Sequence, residues 1–294
     1  MSSRVARALV LESAHKLVVR DFTIPQVGED DGLLRIEACG LCGTDHEQFT
    51  GALPTGFGFV PGHEAVGIVE ELGPKAAERW GVAVGDRVAV EVFLSCKACP
   101  PCLAGEYRRC ELHGLSNMYG AISAETAPGL WGGYGEYQYL APDSMLHKVP
   151  ESITDPAVAT IFNPLGAGIR WGVTVPGTRA GDVVAVLGPG IRGLSAAAAA
   201  KAAGAEFVMI TGFGARDAQR LEMATQFGAD LAVDVSKDDP ATALRDATGR
   251  LADIVVDVTA KAPAAFAQST TIARPGGTSV IAGTRGSMET PGFW

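Results

Sequence analysis

The hydrophobic positions of this chain follow two rhythms. Before position 150 they come in short bursts. Val5–Val10 alternates, Leu33–Ala38 reads as a strand, and Ala65–Leu72 and Arg87–Phe93 are β-branched runs between glycines. Gly51–Gly62 is a loop punctuated by Gly and Pro, and Pro100-Pro101 stops any regular element. This pattern predicts an irregular, mostly β domain over 1–152, with few long amphipathic helices. After Ile153 wholly apolar runs alternate with helical stretches. Strands are expected at Val183–Leu187, Phe207–Thr211, Leu231–Asp234, Ile254–Val258 and Thr278–Ala282. Helices are expected over Gly193–Ala203, Ala218–Phe227, Ala241–Ala247 and Ala264–Ile272. Strands that are apolar throughout need cover on both faces, which implies a parallel sheet. Right-handed crossovers then wind it doubly, giving an α/β domain over 153–294.

Composition narrows the class. The 294 residues suit two domains, and 47% hydrophobic against 19% charged residues supports large cores rather than disorder. The net charge of −9, with no Lys/Arg cluster, argues against a nucleic-acid partner. The N-terminus lacks a signal-peptide core, and apolar runs such as Val183–Leu187 and Ala196–Ala200 fall far short of the roughly 18 residues of a membrane span. The expectation is a soluble, cytoplasmic protein with no membrane partner.

Chemistry enters at three places. Gly188-Pro-Gly-Ile-Arg-Gly193 fits G-x-G-x-x-G and sits between an apolar strand and a helix, the context that makes the string a dinucleotide turn. Gly188 permits the tight turn, Gly190 lets a pyrophosphate approach the backbone, and Gly193 lets the helix pack on the strand. Ile191 and Arg192 lie in the same turn, where the helix start offers free N–H groups. The second strand ends in Gly212 rather than in the acid that grips a ribose 2′-hydroxyl. Arg216 can pair with a 2′-phosphate, while Asp217 can fold onto a plain ribose or cap the helix from Ala218. NAD and NADP both stay open, with the lean towards NADP.

Cys96, Cys99, Cys102 and Cys110 are crowded into one short loop. Four thiolates at this spacing can close tetrahedrally on one Zn2+ as a structural site, in a lobe over about 95–111. An iron–sulfur cluster and a disulfide pair are the competing readings. The other two cysteines lie in Cys39-Gly-Leu-Cys42-Gly-Thr-Asp-His46, and Pro61-Gly-His-Glu64 follows. A Cys, a His and neighbouring carboxylates are the ligand types of an open, catalytic zinc.

Together these residues resemble the zinc-containing alcohol dehydrogenases of the medium-chain dehydrogenase/reductase superfamily. The resemblance runs along essentially the whole chain. It is carried by Cys42-Gly-Thr-Asp45, Gly62-His-Glu-Ala-Val-Gly67 with Gly73, Gly85-Asp-Arg-Val88, the four-cysteine lobe, Gly132-Gly-Tyr-Gly-Glu-Tyr137 and the dinucleotide turn, in family order. It implies a GroES-like catalytic domain followed by a Rossmann domain, with zinc and nicotinamide held in the cleft between them. It implies that Cys42 and His63 ligate a catalytic zinc, with Glu64 moving in on occasion. Thr44 would stand beside the substrate alcohol and pass its proton outward, and Asp45 and Glu64 would support the ligands from behind. The implied reaction moves a hydride between an alcohol or polyol (or its carbonyl product) and NAD(P), in a homodimer or homotetramer.

Three departures from the family pattern stand out. Asn163 occupies the place of the usual third ligand, so that Glu64 or water completes the site or the catalytic metal is weak or absent, and Glu47 stands where a relay His is common, with His46 one position earlier. Proton exit then runs through the cofactor ribose or through His46. The chain also shows five rather than six strands for the dinucleotide fold and stops at Pro291-Gly-Phe-Trp294, so by the resemblance a truncated dehydrogenase is expected. The alternatives are a zinc-free NADPH-dependent enone or quinone reductase, and a non-catalytic dinucleotide-binding form. Phe93, Trp131 and Phe162 are candidates for an apolar substrate pocket, or else plain core.

Overall fold

The computed structural model describes residues 4–53, 55–260 and 262–283. Pro291–Trp294, on which the expected truncation rests, lies outside the described residues. The chain forms two compact units, Met1–Asn163 and Pro164–Trp294.

In the first unit β1 (Val5–Ser13) pairs antiparallel with β2 (Lys16–Thr23). The alternation read at Val5–Val10 is real: Ala6, Ala8 and Val10 point inward onto Val60 and Leu130. β2 carries no such alternation, because it lies on the surface with most side chains in solvent. There follow β3 (Gly32–Cys39), α1 (Gly43–Thr50), β4 (Ala65–Leu72), α2 (Pro74–Trp80), β5 (Arg87–Val90), α3 (Pro100–Leu103), β6 (Tyr137–Leu140), β7 (Leu146–Lys148) and α4 (Pro156–Ala159). Five of these strands make one antiparallel sheet in the order β6-β3-β4-β5-β7. One face buries Leu34, Val69, Val88, Val90 and Leu140 against Tyr119 and Trp131.

Val149, Ile153, Ala159 and Phe162 pack on Val66 and Ala89 of the same sheet. That packing keeps the residues after 152 with the first unit, so the division falls at 163/164, inside α5 (Phe162–Ile169). Trp131 lies in the core of the first unit, and Phe162 is half-buried against Val66 and Ala89. Trp131 is 8% exposed, edge-on to Tyr139, and its indole N–H donates to the Thr126 carbonyl at 2.8 Å.

The second unit carries β8 (Val183–Leu187), α6 (Ile191–Ala202), β9 (Phe207–Gly212), α7 (Gly214–Met223), β10 (Leu231–Asp234), α8 (Pro240–Thr248), β11 (Ala252–Asp257), α9 (Pro263–Ile272) and β12 (Ala273–Ile281). Its strands are all parallel, in the order β10-β9-β8-β11-β12. The order reverses between β8 and β11, so the sheet is doubly wound, with a crevice at the carboxyl ends of its central strands. Alternation explains the unbroken apolar runs. Val184, Val186, Val208 and Ile210 face the alanines of α6, while Val183, Ala185, Leu187 and Met209 face α8 and α9.

One local expectation is corrected. The helix after β9 begins at Gly214, not Ala218, so Asp217 lies inside the first turn rather than ahead of it. Its buried carboxylate reaches back to accept the Phe213 N–H at 3.0 Å.

Candidate active site and metal centres

Cys42 begins α1, and His63 and Glu64 lie on the approach to β4. One ligand atom from each lies within 4.8 Å of the others, and all three side chains are buried. Gly62, just before the histidine, has φ +89°, a left-handed turn that other residues resist. Behind the cluster stands Asp45. One of its oxygens accepts the Cys42 N–H at 2.8 Å, a short-range brace across the first turn of α1. The other, Oδ1, faces His63 Nδ1 at 3.7 Å, and both of these atoms are buried without a hydrogen-bond partner.

Buried polar atoms are normally paired, so this orphaned face is a mark of the site. A ring that takes a metal on one nitrogen carries its proton on the other, which then points at Asp45 Oδ1. Burial disfavours the charged His63 ring, but the Cys42 hydrogen bond and the charges of Asp45, Cys42 and Glu64 outweigh it and raise its pKa. The donor set of one thiol, one imidazole and one carboxylate suits Zn2+. Thr44 Oγ1 lies 3.7 Å from Cys42 Sγ, within the same turn. His46 is exposed, and Asn163 is half-buried near the start of α5.

Two residues around this cluster had no role assigned from sequence. Cys39 is half-buried, and burial pushes its thiol up to about 12. The Tyr134 ring presses on Gly62, where an added Cβ would meet it at 2.5 Å. Burial raises the Tyr134 phenol, and the charges of Asp45, Cys39 and Glu64 raise it further. The Gly132–Tyr137 string marked this segment, but nothing in its spacing tied it to His63.

The four other cysteines converge as the spacing suggested. Their sulfurs lie within 4.8 Å of one another, with Cys96 and Cys102 at 3.9 Å. A tetrahedral zinc with Zn–S near 2.3 Å sets sulfurs roughly 3.8 Å apart, so the group fits. Burial alone would raise the Cys110 thiol. Backbone N–H groups of Cys96, His113 and Leu112 overcome that and bring it down to about 6. The lobe has little regular structure, only α3 and a 3-10 turn at Tyr107–Arg109. Its ends are tied to the turn before β7. Ser95 N–H donates to the Asp143 carbonyl at 2.9 Å, and the His113 ring lies 2.7 Å from the Asp143 carboxylate.

In the second unit the glycine turn has the shape a dinucleotide needs. Gly188 has φ +101°. A Cβ at Gly193 would stand 1.9 Å from the Gly188 carbonyl oxygen, so no larger residue lets α6 begin here. A Cβ at Gly190 would meet nothing within 4 Å, which leaves open space in front of the helix start. Ile191 is exposed and Arg192 half-buried in the first turn of α6. At the end of β9, Gly212 packs on Asp217, Leu221 and Pro189. Arg216 projects into solvent with its guanidinium 3.6 Å from the buried Asp217 carboxylate, which Arg220 also approaches at 3.4 Å.

Comparison with known proteins shows the family. The Alcohol dehydrogenase GroES-like domain matches residues 28–151, and the Zinc-binding dehydrogenase domain matches residues 193–293. The chain is 67% identical to a probable alcohol dehydrogenase of Mycobacterium tuberculosis, over 98% of this chain and 79% of that protein. It is 32% identical to an erythritol/L-threitol dehydrogenase of Mycolicibacterium smegmatis, over 86% of this chain and 69% of that one. Among solved structures, a zinc-binding dehydrogenase of Sinorhizobium meliloti bound to NADP superposes with a TM-score of 0.83 at 31% identity. That match covers 99% of this chain and 80% of the other. Among the described residues no helix is long and apolar enough to cross a membrane.

Proposed function

The chain belongs to the zinc-containing alcohol dehydrogenases of the medium-chain dehydrogenase/reductase superfamily, and from that premise we propose how its residues divide the work. It is a zinc-dependent oxidoreductase that moves a hydride between an alcohol and a nicotinamide dinucleotide. Cys42, His63 and Glu64 hold the catalytic zinc, and Glu64 fills the place that Asn163 leaves without a charged ligand. Cys96, Cys99, Cys102 and Cys110 hold a second, structural zinc. The single observation that carries this division is the buried Cys42–His63–Glu64 cluster backed by the unpaired Asp45 Oδ1.

Zinc bound there supplies Lewis-acid polarisation of the substrate oxygen, and the nicotinamide supplies the hydride acceptor. The chain's own residues do the rest. Asp45 fixes the Cys42 backbone and faces the His63 ring, so both ligands are held before substrate arrives. Thr44 would take the proton of the substrate hydroxyl at its Oγ1 as its own hydroxyl proton moves outward, toward the exposed His46.

The substrate is a small alcohol or polyol, a class to which erythritol and L-threitol belong. The cofactor is NADP in preference to NAD. Gly212 brings no carboxylate to the end of β9, Asp217 is turned inward, and the exposed Arg216, 3.6 Å from that carboxylate, is the cation that can meet a 2′-phosphate.

Elemental analysis of protein purified without chelator tests the metal assignment, and two zincs per chain are expected. His63→Ala should keep one zinc, lose alcohol oxidation by at least about a thousandfold, and bind NADPH within about twofold of the parent. Full activity or two retained zincs in that variant would reject the catalytic assignment.

A further inference from the structure

Arg192 is not demanded by the glycine spacing, which leaves its position free. It is the second residue of α6, and its guanidinium carbon lies 5.4 Å from the centre of the Trp171 ring. That is inside the roughly 6 Å range of cation–π attraction. Two features of the chain put Trp171 there. Gly168 and Gly172 bring the preceding helix hard against α6: a Cβ at Gly168 would stand 2.5 Å from Ser195 Cβ, and one at Gly172 would stand 2.8 Å from the Ala196 carbonyl oxygen. The same helix widens from α to π over Arg170–Thr174. Such a widening redirects the side chains that leave it and recurs at functional sites. The indole also packs on the core between α6 and the sheet, so its face is fixed before any ligand arrives.

We propose that Arg192 is a cationic clamp on the pyrophosphate of the dinucleotide and that Trp171 is the positioning residue that holds it ready. This rests on the dinucleotide reading above. A helix start offers N–H groups and only about half a positive charge, whereas a pyrophosphate bridge carries two negative ones. An arginine in the first turn, two residues after Gly190 and its open space, supplies a full charge in a planar fork suited to phosphate oxygens. An arginine already held on a ring gives up less freedom when it binds. Arg216 follows β9, on the side of the ribose 2′ position, so the two arginines answer different phosphates.

The experiment titrates NADH and NADPH separately against the full chain, following the fluorescence of the reduced nicotinamide. Arg192→Gln should weaken both cofactors by the same factor, on the order of tenfold, and flatten the salt dependence of binding. Arg192→Lys should recover only part of the loss, and Arg216→Ala should weaken NADPH alone. Trp171→Met, which keeps bulk but removes the aromatic face, should weaken both cofactors a few-fold. The double variant should bind no more weakly than Arg192→Gln, because the ring acts only through the guanidinium. Arg192→Gln binding both cofactors within twofold of the parent, or losing NADPH alone, overturns the clamp. Additive losses in the double variant overturn the positioning role of Trp171. A parent chain that binds neither cofactor defeats the dinucleotide reading itself, which is a separate and recognisable outcome.

Discussion

The lobe takes its four thiols from one loop, Cys96 to Cys110, whereas the buried cluster draws Cys42 from the start of α1 and His63 with Glu64 from the approach to β4. The lobe around its thiols is poor in packed apolar groups: Leu103 and Leu112 are 74% and 70% exposed. The buried cluster belongs to segments that are already held, by β4 in the central sheet and by backbone bonds such as Gly133 N–H to the Gly62 carbonyl at 2.8 Å. On the proposed division, a metal in the lobe would do the work of a core, whereas a metal in the buried cluster would fill a frame that stands without it and leave its energy for chemistry.

The largest expected effect follows from that contrast. Cys110→Ser or Cys99→Ser should remove one zinc per chain and lower the melting temperature more than any change at the buried cluster. Binding energy at a structural zinc, on the order of 10 kcal/mol in small domains, is folding energy. Elemental analysis and thermal melting measure both. A serine variant that melted like the parent with its metal intact would break the comparison at its root.

A smaller effect is expected behind the buried cluster. Asp45→Asn keeps the shape of the side chain but removes the charge that faces His63 Nδ1. Metal affinity at this site should fall by about 10–100-fold, read by chelator competition, while the lobe zinc and the melting temperature stay near the parent's. Affinity unchanged within twofold would mean that Asp45 serves only as the brace for the Cys42 N–H.

The same contrast explains what the sequence could and could not show. Ligands from one loop leave a spacing, so the lobe was readable from Cys96 to Cys110 alone. The buried cluster left a weaker mark, a Cys and a His with neighbouring carboxylates in two separate strings, Cys42–Asp45 and Gly62–Glu64, and the resemblance of those strings singled it out. The parallel sheet was legible because Val183–Leu187 and its neighbours are apolar on both faces. β2 and the short β6 and β7 were not, since a surface strand or one of three or four residues holds too little period to detect. α7 was placed late because its N-cap residue, Phe213, has no capping side chain; its start is held by the Asp217 carboxylate on the Phe213 N–H at 3.0 Å and by the distant Asp234 carboxylate on the Gly214 N–H at 2.7 Å. Trp171 left no signal at all. Its neighbour Arg192 is brought to it by the packing of two helices.

The smallest effect concerns how the lobe is fastened. The His113 ring lies 2.7 Å from the Asp143 carboxylate and 3.0 Å from the Asn117 amide nitrogen. The amide N–H donates to Nδ1, which leaves the proton on Nε2 to donate to Asp143. The same turn receives the Ser95 N–H on the Asp143 carbonyl and Lys97 Nζ on the Ser144 carbonyl, so both ends of the lobe meet there. His113 touches the thiols only through its backbone N–H at Cys110, and that contact survives a change of side chain. His113→Ala should therefore leave two zincs per chain and lower stability by about 1–2 kcal/mol, a shift of a few degrees in melting. At the buried cluster the supporting side chain acts on a ligand directly. In the lobe it acts on the loop that carries the ligands. Loss of the lobe zinc in His113→Ala would erase that difference, and the fastening would then have to be counted as part of the metal site.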